Sequence, residues 1–139
     1  MITAFGATDG VLRLTDGESL LEALHDLPVE SAILLAGIGM VRDLEVGYWT
    51  GEIYESIAIE EPVELLSLQG NIASHGSTRV VHAHVAVAGH DGAARGGHLI
   101  AATVHNTAEI ALRMPPDVRL ERVEEASGLL GLCPTEAED

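Results

Sequence analysis

Short apolar runs alternate along the chain with glycine-rich breaks, and the period of each run predicts its element. Val11-Leu12-Arg13-Leu14 alternates apolar and polar side chains, the two-residue period of a half-buried strand. Thr15-Asp16-Gly17-Glu18 then has the spacing of a capping box, and Leu20, Leu21, Leu24 and Leu27 recur at helical intervals up to Pro28. This spacing predicts the main helix over roughly residues 17–26. Ala32 to Ile38 is a continuous apolar run of strand length, closed by Gly37 and Gly39. Leu44 to Trp49 and Ile53 to Ile59 read as two strands joined at Thr50-Gly51-Glu52, a hairpin signal.

Pro62 opens a further strand, Val63 to Ile72, and Gly70-Asn71 near its end signals tight packing or a bulge. Ser74-His75-Gly76-Ser77 turns the chain into Val80 to Ala88, and Gly89-His90-Asp91-Gly92 makes a second tight turn. A strand pair follows through His98 to Val104 and Ala108 to Met114, and Pro115-Pro116 ends the regular core. Val118 to Val123 adds an edge strand, and the segment from about residue 128 reads as loose. The expectation is an α+β fold: one domain over residues 1–139, a mostly antiparallel sheet of about seven strands, and one main helix near the N-terminus.

Composition changes this picture in two ways. Aromatic residues are only 3% of the chain (Phe5, Tyr48, Trp49 and Tyr54), so the core has to be built from Val, Ile, Leu and Ala. The formal net charge is −15, and all seven basic residues are arginines, with no lysine. Polyanions are repelled by such a chain, because phosphate neutralisation needs clustered Lys and Arg. The bias reads either as adaptation to molar salt, where the Debye length falls to about 3 Å, or as drift in a GC-rich genome. We favour the halophile-like reading, because drift alone would have retained more arginine for balance.

The apolar runs are too short to span a bilayer. The opening Met1-Ile-Thr-Ala-Phe-Gly lacks a positive region followed by an apolar stretch, so the expected location is the cytoplasm. A single cysteine, Cys133, excludes an internal disulfide and a cysteine-based metal site.

Candidate chemistry lies with the seven histidines. His82 and His84 stand at i and i+2 of a strand, so both project from one face, while Val81, Ala83, Val85 and Val87 take the other. His98 follows Gly96-Gly97, where a backbone without β-carbons can approach a neighbouring strand closely. If the turn at residues 89–92 folds the segment back antiparallel, His98 reaches the His82/His84 face. Three imidazoles so placed can hold zinc at about 2.0–2.1 Å and leave a fourth position open. The alternative is that they are solvated or core histidines with backbone partners. His75 and His90 fall in turns and His25 at the helix end, all three read as surface residues, and His105 is left unassigned. Glu64 interrupts an apolar strand, so it is either exposed or buried with a partner.

These residues, taken in order, resemble the plant and prokaryote conserved (PPC) domain family. The matching run is Ala36-Gly37-Ile38-Gly39, Val41-Arg42-Asp43-Leu44 and Tyr48, then Glu64 through Ile72, His82-Ala83-His84-Val85, Gly96-Gly97-His98-Leu99 and Thr107-Ala108-Glu109-Ile110. Leu12-Arg13-Leu14 with Gly17-Glu18 is similar to the family's opening turn, so the resemblance covers roughly residues 10–114.

The resemblance implies an α+β subunit assembled as a homotrimer and, through the plant members that carry AT-hook motifs, a DNA-associated regulatory role. Two departures argue against direct DNA binding here. The chain has no Arg-Gly-Arg-Pro hook, and Pro62 occupies the basic position of the family's Gly-Arg-Phe-Glu-Ile-Leu motif. The fold is also similar to that of acetolactate decarboxylases, whose zinc-binding His-x-His and later histidine are matched by His82, His84 and His98.

That similarity implies a zinc site, or one for another divalent transition metal, with Glu64 and Arg42 as the candidate catalytic groups. Three readings follow. One is a homotrimeric metal-binding domain that binds or senses a small polar metabolite. Another is a DNA-associated transcriptional regulator, and a third is a metal-dependent lyase or decarboxylase of a small oxo acid. The small-residue faces around Ala86, Ala88, Ala101 and Ala102 are the expected contacts between subunits.

Overall fold

Alternation along the sequence becomes alternation in space. The computed structural model describes residues 1–137. In β2 (Asp9–Thr15) every second residue, Gly10, Leu12 and Leu14, is buried, while Val11 and Arg13 face outward. The same two-residue rhythm runs through β3 (Ala32–Trp49), β5 (Val63–His75), β6 (Thr78–Ala88) and β7 (Ala94–Arg113). With β1 (Ile2–Phe5), β4 (Tyr54–Ile59), β8 (Val118–Glu124) and β9 (Leu130–Glu136), the described residues form nine strands of one sheet rather than about seven. Pairings β3–β5, β5–β6, β6–β7 and β7–β3 make a closed circuit, so the central strands have no free edge among themselves. All named strand pairs are antiparallel except a single parallel contact, Ser74 with Glu121.

The helix α1 (Leu20–His25) is shorter than the leucine spacing predicts. Glu18 does reach back to the Thr15 amide (2.7 Å) and hydroxyl (3.0 Å), half of a capping box. Gly17 lies at φ +88°, so that segment is a turn, and the helix starts at the next cap, Ser19, whose Oγ accepts from the Glu22 amide. Leu20, Leu24 and Leu27 are fully buried against the sheet, in a core of leucine, isoleucine, valine and alanine without aromatic residues. Arg79 of β6 donates to the carbonyls of Leu27 and Val29 and ties the end of the helix segment to the sheet.

Two predicted breaks are bulges. Ala32–Ile38 and Leu44–Trp49 are halves of one strand, β3, bent at Gly39 (φ +136°) and Asp43 (φ +49°). The predicted pair His98–Val104 and Ala108–Met114 is likewise one strand, β7. It is kinked at Asn106 (φ +66°), whose amide is taken up by the Asp16 carboxylate at 2.8 Å. β5 continues past Gly70-Asn71 to His75, because Gly70 only lets β6 close in: a β-carbon there would collide with the His82 carbonyl oxygen.

The segment from residue 128 is not loose up to Glu136. β9 pairs with β8 over seven residue pairs, and side chains tack β8 to the body: the Leu120 amide donates to Ser31 Oγ (2.9 Å). Backbone pairing, which leaves little mark in so exposed a sequence, holds this segment. Residues 138 and 139 lie outside the described residues. Among the described residues, no helix is long and apolar enough to cross a membrane.

Candidate metal centre

The tight turn that places the site is closed by the Gly92 amide donating to the Gly89 carbonyl (2.9 Å). It folds β7 back on β6 so that His98 lies directly opposite His84. Gly96 makes the approach feasible, since a β-carbon at that position would collide with the Val85 carbonyl oxygen; one at Gly97 would lie 2.8 Å from the Gly47 carbonyl oxygen. Val85 and Val87 fill the opposite, buried face of β6, so His82 and His84 share the outer one, as their spacing predicts.

The three rings form a triangle. Centroids are 5.1 Å apart for His82–His84, 5.2 Å for His82–His98 and 5.4 Å for His84–His98. One ring nitrogen of each lies within 4.8 Å of the other two. His98 stacks on Tyr54 of β4 at 4.8 Å, which fixes its ring plane. Burial disfavours the charged form of His82 and His98. It is the main cause holding the His82 pKa down to about 4, with the Arg122 guanidinium and then the neighbouring rings adding to it. Burial, then repulsion from His84, also lowers His98.

Hydrogen bonds set the proton positions. Arg122 can only donate, so its 3.1 Å contact makes His82 Nδ1 an acceptor and leaves the ring proton on Nε2. That proton is 3.2 Å from His84 Nε2 in donor–acceptor distance. His98 Nδ1 is buried without a hydrogen-bond partner. Three clustered imidazoles, one with an unused buried nitrogen, suit a borderline cation of the zinc type. Among the described residues, no fourth His, Cys, Asp or Glu joins the group, so a bound ion would keep an open position.

The other predicted residues lie elsewhere. Glu64 is exposed on β5 opposite Ala88, five residues along from Gln69, the partner of His84. Arg42 binds Asp16 (2.9 Å), the Val104 carbonyl (3.2 Å) and His105 (3.2 Å). It faces Thr103, which is five residues from His98 along β7, roughly 16 Å at strand rise. His25 and His90 are exposed, and His75 is an exposed side chain whose Nδ1 donates to the Arg122 carbonyl at 2.8 Å.

Sequence reasoning missed Arg122. It is 9% exposed, the one charged side chain buried among the described residues, and it donates to Asn71 Oδ1 (2.7 Å) and the Leu130 carbonyl (2.8 Å) as well as to His82. The available signal was its place two residues from Leu120 on a half-buried strand, which puts both on the inward face. Tyr54, the platform under His98, was read only as part of a hairpin.

A closed antiparallel sheet with one short helix and three histidines clustered on its outer side defines a small β-rich domain. Residues 3–114 match the Plants and Prokaryotes Conserved (PCC) domain, and the chain belongs to that family. It is similar to a plant- and prokaryote-conserved protein of Pyrococcus horikoshii, with 30% identity, 94% of this chain and 95% of that one covered, and a TM-score of 0.82. A metal-containing protein of Archaeoglobus fulgidus is similar at 28% identity, with 96% and 99% covered and a TM-score of 0.81.

The fold is shared with a protein of Bacteroides thetaiotaomicron described as a candidate DNA-binding protein, at 21% identity, 95% and 96% coverage and a TM-score of 0.85. Over 127 residues, 87% of this chain, the sequence is also 30% identical to the bifunctional protein GlmU of Synechococcus sp. (strain JA-3-3Ab). The chain spans 20% of that protein's length.

Proposed function

We propose that this chain is a homotrimeric metal-binding domain that holds zinc, or a similar divalent transition metal, on His82, His84 and His98 and binds or senses a small metabolite there. The observation that carries the reading is the triangle of imidazoles with an unused buried nitrogen on His98. The metal-containing protein of Archaeoglobus fulgidus supports it. Tyr54, Arg122 and Leu130 wall a cavity of about 350 Å³ beside His82 and His98, within the roughly 300–1,000 Å³ common for small-molecule sites.

Assembly is supported by an apolar face that the chain leaves bare. Val11 (58% exposed), Leu35 (47%) and Ile38 (56%) point away from the core. Ala36, Ala111 and Val11 line up across β3, β7 and β2. This apolar row, bordered by Glu109 and Arg13 in the row of Ile38, suits contact with a second copy. The faces expected from the sequence do not serve in the same way. Ala88 and Ala102 are buried within the chain at 6% and 4%, because they sit under paired strands, and of the four only Ala101 is exposed.

The test is metal uptake. Protein dialysed against excess zinc and then freed of unbound ion should retain one zinc per chain, and His98→Ala should lose it while staying folded. A folded wild-type protein that takes up neither zinc nor nickel would sink the reading. A DNA-associated role is favoured by the description of the Bacteroides neighbour. The −15 charge opposes direct duplex contact, and retardation of duplex DNA in a gel at any salt where the protein is folded would support that role instead.

A further inference from the structure

The β8–β9 hairpin lies beyond the residues that match the family, yet it walls the histidine site. Its Arg122 is the unusual group. A buried guanidinium is costly unless a charge partner offsets it. Arg122 has only neutral partners: the Leu130 carbonyl, Asn71 Oδ1 and His82 Nδ1. Its Nε is buried with no hydrogen-bond partner, and among the described residues no carboxylate lies within ion-pair distance. Glu125 reaches the same cavity, but it is exposed and its side chain lies over Gly131.

Besides the rings of His82 and His98 and the exposed Glu125, the cavity next to Arg122 is walled by Tyr54, Val81, Leu129 and Leu130. We propose that it binds a small organic monocarboxylate, with the carboxylate held by Arg122 and a short apolar tail against Tyr54 and Leu130. Guanidinium is the side chain whose planar fork matches a carboxylate, and an anion supplies the charge partner that the fold withholds. At about 30 Å³ per water-sized group, the cavity holds on the order of ten non-hydrogen atoms.

The inference deepens the metal reading and rests on it in one respect. A cation on His82 Nε2 requires the ring proton to sit on Nδ1, where it would oppose the Arg122 donor, so metal binding frees one Arg122 N–H for the anion. Metal and carboxylate therefore strengthen each other's binding, reciprocally.

Butyrate is the probe, with butyramide as its neutral counterpart, titrated calorimetrically into metal-free and zinc-loaded protein at constant ionic strength. The expected result is one butyrate per chain, bound at least tenfold more tightly with zinc than without, and at least tenfold more tightly than butyramide. Arg122→Gln should abolish the preference for the charged probe while zinc is retained, and Arg122→Lys should weaken it. The comparison of butyrate with butyramide on wild-type protein stands even if both variants unfold.

Zinc bound one to one with butyrate and butyramide indistinguishable would overturn the carboxylate site alone. Without zinc uptake the metal reading fails; butyrate preferred over butyramide by metal-free protein would then keep the carboxylate site, and no preference would overturn it too.

Discussion

Gly96 is the position where backbone contact decides the geometry of the site, so Gly96→Ala is the sharpest perturbation. The added β-carbon would collide with the Val85 carbonyl oxygen and lie 2.9 Å from its carbon, against backbone that cannot rotate away. Restoring ordinary van der Waals contact requires β6 and β7 to separate by on the order of 1 Å. His98 is two residues further along β7 and would move with it relative to His84. Metal–ligand distances tolerate about 0.2 Å, so a shift of that size costs one ligand. Zinc affinity should fall at least tenfold in competition with a chromophoric chelator.

Overpacking of this kind typically costs about 1–3 kcal/mol. In a chain of this length that lowers the melting midpoint by roughly 3–9 °C. Gly89→Ala is the control, because its β-carbon would meet only Asp91 Oδ1, at 3.7 Å. Wild-type zinc affinity and melting in Gly96→Ala would refute the reasoning that close strand approach builds the site.

Three further outcomes follow from the same structure. Leu24→Ala empties a fully buried position where the helix packs on the sheet and should cost about 2–5 kcal/mol in urea unfolding; a loss under 1 kcal/mol would contradict this packing. Ile38→Glu charges the exposed apolar face and should convert the proposed trimer to monomer in sedimentation, whereas an unchanged mass would count against contacts on this face.

The third concerns pH. Burial depresses His82 and His98, so the unfolded chain takes up protons that the folded chain resists. The penalty is absent above the ordinary histidine range and grows as pH falls from about 6.5 toward about 4. Stability to urea should drop across that window, and less steeply in His82→Asn; equal slopes would contradict the assignment.

Much of this arrangement was legible because it depends on short-range periodicity. His-x-His on a strand fixes two rings on one face, and two glycines before His98 announce a close approach; the helix and most strands follow from leucine spacing and alternation. What stayed hidden depends on partners distant in sequence. Asp43 and Asn106 take up left-handed backbone that nothing in their neighbours demands, so long bulged strands look like pairs of short ones. Ala32–Ile38 is one unbroken apolar run in sequence, yet only Ala32, Leu34 and Gly37 are buried and the other face is exposed. Arg122 is ordinary in sequence and unusual only once Asn71, Leu130 and His82 surround it.

X-ray absorption at the zinc edge of the loaded protein tests the central claim most directly. Three imidazole nitrogens at about 2.0–2.1 Å are expected, with one further oxygen or nitrogen donor completing the shell. A sulfur donor from the exposed Cys133, or a shell of oxygens without imidazole scattering, would contradict it.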